Sequence, residues 1–151
     1  MLGLIPMKAA AKEINQALGI PLPWRFLRDK NLLGAMVRRR DARAFALLLY
    51  LWKNRKSRDP AFPLNYAATA MALGMDRMTP EGYRRQINKT LRKLDARYGL
   101  IEAKTSFGKN ASIAFRRDIA WNGPGARIPH AFWDYGWNRI LSPAGIVMYL
   151  I

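Results

Sequence analysis

Apolar residues fall at helical spacing in two stretches of the chain. Between Arg40 and about Asn54, Phe45, Leu48, Leu49 and Trp52 stand at i, i+3, i+4 and i+7, the stripe of a helix that faces a core. The stretch is rich in Ala and Leu and has no β-branched residue, which favours a buried helix over a strand. Asp41 suits its N-terminal end, where the helix dipole is positive, and Lys53, Arg55 and Lys56 suit the other end. The loop Ser57–Pro63, with its two prolines, closes it.

The second stretch is preceded by a shorter helix, Leu64–Leu73, whose Ala67, Ala68, Ala70 and Ala72 let a neighbour approach closely. Gly74 is its stop signal and Met75–Met78 a turn. Thr79 offers an N-cap oxygen, Pro80 fits the first helical position, and Glu81 meets the positive first turn. The helix that starts there is expected to reach Tyr98 and end at Gly99, with Tyr83, Ile87, Leu91 and Leu94 on its buried face. Arg84, Arg85, Asn88, Lys89, Arg92 and Lys93 fall mainly off that face. Two strand-like runs follow, Leu100–Thr105 and Ala111–Phe115, joined by the hairpin loop Ser106–Asn110.

The flanks are less regular. Met7–Leu18 reads as a short helix, ended near Gly19 and barred from continuing by Pro21 and Pro23; Trp24, Phe26 and Leu27 then anchor this arm to the body. Asn122-Gly123-Pro124-Gly125 is a linker, followed by Ile128, Phe132, Trp133, Tyr135 and Trp137, and by a last apolar helix from Ser142-Pro143 to Ile151. The expected fold class is therefore mainly α with a small β-hairpin (α+β). A helical arm over 1–40, a helix–turn–helix and hairpin domain over 41–117, and a C-terminal extension over 118–151, linker and last helix, are expected.

Composition sharpens the picture through charge. There are 26 Lys and Arg against 10 Asp and Glu, a formal +16, so a polyanionic partner is expected, nucleic acid foremost. From Arg77 to Arg117 the acids are only Glu81, Asp95 and Glu102. The absence of cysteine rules out disulfides, thiolate metal sites and cysteine nucleophiles, and fits a cytoplasmic setting. His130, the single histidine, rules out multi-histidine zinc sites and a Ser/His/Asp set is not arguable around it; no cofactor is implied. The longest apolar run, Ala44–Trp52, is far short of the ~20 residues that span a bilayer, so no membrane role is expected.

Arg pairs bidentately with guanine and Asn with adenine, so Arg84, Arg85 and Asn88 are the candidates for base edges. Lys89 and Arg92 are candidates for phosphates, and Lys93, with Arg77 and Thr79 at the helix entrance, completes the DNA-binding set on this helix. Lys104, Ser106, Lys109 and Asn110 at the hairpin would touch the flanking backbone. A second basic block, Arg38-Arg39-Arg40, could clamp phosphates or simply solubilise the surface. The aromatic group after Ile128 suits a core or subunit contact more than base stacking. Asp95 with Glu102-Ala103-Lys104 has only the outline of a metal-dependent nuclease core, and Asp95 falls on a helix where such a site needs it near strand ends.

The span Asp41–Arg117 resembles the winged helix-turn-helix superfamily, through its first helix, the Leu64–Leu73 helix ending at Gly74, the capped basic helix from Thr79-Pro80-Glu81, and the hairpin Leu100–Phe115. The resemblance implies a non-enzymatic protein that binds double-stranded DNA and works in transcription regulation, located with the nucleoid. It also implies frequent homodimerisation, here expected through the C-terminal helix and aromatic cluster. The segment Ile128–Trp133 with Gly136-Trp137 and Leu141-Ser142 looks like the lead-in to a second such unit, as in plasmid replication initiators; an RNA-binding or nucleic-acid-processing protein is the remaining alternative.

Overall fold

The computed structural model describes residues 20–23, 26, 28–29, 31–55, 61–106, 108–116, 125–129 and 132. They form a mixed α/β structure: β1 (Ile20–Pro23), α1 (Leu33–Arg38), α2 (Ala42–Asn54), β2 (Phe62–Pro63), α3 (Tyr66–Ala72), α4 (Pro80–Arg92), β3 (Ile101–Lys104), β4 (Ser112–Phe115) and β5 (Gly125–Ile128). A π-helical turn, Lys93–Arg97, continues α4.

Helix α2 is the centre of the core. Its expected stripe is buried, and so are Ala44, Leu47 and Leu51, so the helix is covered over most of its circumference. Trp52 meets Phe115 of β4 edge to face, with ring centroids 5.2 Å apart. Ile87, Leu91 and Leu94 are buried as their spacing predicts, whereas Tyr83 packs at the margin. Helix α3 is shorter than expected at both ends: Asn65 caps it by accepting from the Ala68 amide at 3.0 Å. Gly74 stops it at φ 73°, and the Met75 amide donates back to the Ala70 carbonyl at 2.7 Å.

The hairpin β3–β4 is part of a three-stranded antiparallel sheet in the order β2-β4-β3. The third strand lies where the prolines suggested only a loop. Phe62 and Leu64 point into the core while Pro63 is exposed, and the Leu64 amide donates to the Ala111 carbonyl at 2.8 Å. An edge strand tolerates the missing N–H of Pro63.

Two further elements differ from the expectation. Helix α1 lies in the expected helical arm but outside the one helix placed there, and Pro21 and Pro23 belong to strand β1, paired antiparallel with β5, which begins at the last residue of the expected linker. Prolines at alternate positions put both missing N–H groups on one edge of β1, the edge a two-stranded sheet leaves unpaired. Leu22, Phe26, Ile128 and Phe132 join the main core, so both flanks pack onto it. The expected helix Met7–Leu18, the anchors Trp24 and Leu27, the rest of the aromatic group and the last helix lie outside the described residues. Among the described residues no helix is long and apolar enough to cross a membrane.

Candidate nucleic-acid interface

Helix α4 begins as its sequence dictates. The Thr79 hydroxyl oxygen accepts from the Gly82 amide at 3.1 Å, Pro80 occupies the first turn and Glu81 adds charge there. A Cβ at Gly82 would stand 3.0 Å from that same hydroxyl oxygen, so the cap is closed against the glycine. With Ile87, Leu91 and Leu94 facing the core, Glu81, Arg85, Lys89 and Arg92 are exposed along the opposite side. These four, with Arg84 and Asn88, line one shallow groove. Among the described residues, no ion pair or hydrogen bond engages the side chains of Arg85, Lys89 or Arg92.

Arg84 and Asn88 are placed differently. The Arg84 Nη2 donates to the carbonyl oxygens of Ser106 at 3.1 Å and Lys109 at 2.7 Å, both in the hairpin loop. Its guanidinium also lies over the Tyr66 ring, 4.5 Å from the centroid. The Tyr66 hydroxyl in turn donates to Asn88 Oδ1 at 2.6 Å. Tyr66, the first residue of α3, was not among the expected site residues; its only sequence signal is an aromatic beside a helix cap.

The rest of the expected set divides by location. Lys104, Ser106, Lys109 and Asn110 are exposed on or beside the hairpin loop, and Arg77 is exposed in the turn before α4. Thr79 is at the helix entrance. Lys93 turns the other way and pairs with Asp41 at 3.6 Å. Asp41 sits at the N-cap of α2 without a capping bond; its buried carboxylate accepts from the Tyr98 hydroxyl at 2.9 Å instead. Burial, then the hydrogen bond to Asp41 and its charge, raise the Tyr98 pKa above its ordinary value, against the opposing effect of Arg39. Arg39 stands 5.8 Å over the Tyr98 ring.

Arg38, Arg39 and Arg40 are exposed at the α1–α2 junction and do not line the α4 groove. Arg40 adopts φ 53°, the left-handed position that ends α1: the Arg40 and Asp41 amides donate back to Val37 and Met36 at 3.1 and 2.9 Å. Arg43, one turn on, donates to Gln86 Oε1 of α4 at 3.0 Å. Asp95 is occupied structurally, accepting from Arg116 at 2.8 Å and from the Ala103 amide at 3.1 Å. Glu102 is exposed on β3.

The arrangement can hold a polyanion along α4 with the hairpin loop alongside. Comparison with protein-family models, with curated proteins and with solved structures returns no match.

Proposed function

We propose that this chain is a winged-helix protein that binds double-stranded DNA without catalysing a reaction, with α4 in the major groove and the β3–β4 loop on the flanking backbone. Proteins of this build act chiefly as transcription regulators, and that is the role proposed here. The order α2, β2, α3, α4, β3, β4 and the sheet order β2-β4-β3 support the winged-helix reading. The observation that carries the DNA reading is the line of exposed cations Arg85, Lys89 and Arg92 on one side of α4, unpaired among the described residues, beside Lys104 at the end of β3 and Lys109 in the hairpin loop.

Cations on a helix of this width match the major groove, and those on the loop reach phosphates one step away. The test is selection from a random pool of short duplexes over a series of salt concentrations. One enriched motif, with affinity falling steeply as salt rises, is the expected result. Equal retention of every sequence, or preference for RNA at matched salt, would overturn it. A palindromic motif would go with a homodimer; repeated sites would point to a replication initiator.

A further inference from the structure

We infer that Arg84, Tyr66 and Asn88 form a clasp that sets the hairpin loop against α4, and that base reading falls to Glu81, Arg85 and Lys89. The inference rests on the DNA-binding reading for its second half only.

Two observations engage Arg84 and Asn88 away from base edges. The Arg84 guanidinium makes charge-assisted bonds to two loop carbonyls and stacks on Tyr66, so reaching a base edge would mean giving up all three contacts. A bidentate contact to adenine needs the Asn carbonyl oxygen as acceptor and its amide as donor. In Asn88 that oxygen accepts from Tyr66 at 2.6 Å, which takes one of its two lone pairs and turns the amide toward Tyr66. Tyr66 comes from α3 and Arg84 and Asn88 from α4, while the loop supplies the two carbonyls that Arg84 binds, so these contacts fix how far the loop stands from the helix. Arg84 is thus a positioning residue.

The side chains left unengaged have their own chemistry. Arg85 and Lys89, one turn apart on the exposed side, suit O6 and N7 of guanine, and Glu81, one turn earlier, suits the N4 amine of cytosine. The recognised motif then contains G·C pairs.

Trypsin reads the clasp on the free protein, because Arg84 holds the carbonyl of the Lys109–Asn110 bond. In Arg84→Met, which keeps an apolar stem on Tyr66, cleavage after Lys109 should rise on the order of tenfold relative to cleavage after Arg77 in the exposed turn. Arg84→Lys should restore part of the protection and Tyr66→Phe should lose a smaller part. On DNA, Arg84→Met should weaken binding on the order of tenfold with the enriched motif unchanged, whereas Arg85→Ala should relax the motif at one G·C pair.

Unchanged cleavage in both Arg84→Met and Tyr66→Phe overturns the clasp, whatever happens on DNA. A motif altered by Arg84→Met, or one lacking G·C pairs, overturns the division of roles. Failure of the unmodified protein to prefer any duplex sinks the DNA reading and that division, while the cleavage ratio still judges the clasp.

Discussion

Two polar clusters hold the two halves of α4, and they are built differently. Near its N-terminal half, Arg84, Tyr66 and Asn88 join the helix to a loop at the surface. Beyond its C-terminal end, Asp41, Tyr98 and Lys93 join it to α2, with Asp41 and Tyr98 buried. Burial decides what each can do. A polar group left unpaired in the interior carries its full desolvation penalty, so the second cluster governs stability. At the surface water replaces a lost partner, so the first governs where the loop sits and contributes little to stability.

The largest effect should come from removing what both clusters depend on. Leu91→Ala, at a fully buried position between them, is expected to cost about 2–5 kcal/mol in denaturant unfolding and to loosen both. Asp41→Ala should cost about 2 kcal/mol, since it strands the Tyr98 hydroxyl and a half-buried Lys93; a loss equal to that of Arg84→Met would erase the contrast between the two ends. Tyr98→Phe should cost about 1 kcal/mol and also change the alkaline limb of stability. The raised Tyr98 pKa means the folded chain holds that proton more tightly than the unfolded one. Its contribution is therefore intact below pH 10 and is lost as pH climbs through the folded value. Melting curves between roughly pH 8 and pH 11 should fall less steeply for Tyr98→Phe than for the unmodified chain.

A smaller effect of opposite sign is expected at the α1–α2 junction. Arg40 takes a left-handed conformation that glycine adopts without penalty. Arg40→Gly should stabilise the fold by up to about 1 kcal/mol, read as a higher midpoint in denaturant. Smallest of all, Arg84→Met should shift stability by under about 1 kcal/mol while moving the loop.

The same contrast explains what the sequence made legible. Local signals came through: the Thr79-Pro80-Glu81 start, the glycine stops at 74 and 99, and the inward line Ile87, Leu91, Leu94 all lie where their chemistry places them. Strand β2 was hidden because two residues are too few for alternation to register, and its partner Ile113 lies about fifty positions on. Helix α1 was hidden because Arg40 stands where a glycine would have marked its end. Strand β1 was hidden because its prolines matter only once β5 is known to pair on the other edge. The contacts that Arg84 and Asn88 make within the fold are not legible in the sequence for the same reason. Their helical positions are readable from spacing, but their partners Tyr66, Ser106 and Lys109 are supplied by the tertiary fold.

In the proposed complex the exposed side of α4, rather than basic charge in general, meets the DNA. The most direct test compares the salt dependence of duplex binding for the unmodified protein, Lys89→Ala, and Lys53→Ala at the far end of α2. Both variants remove one positive charge. The slope of log affinity against log salt should drop by about 1 for Lys89→Ala and stay unchanged for Lys53→Ala. Equal slopes for the two variants would contradict that placement, leaving a basic surface with no defined face.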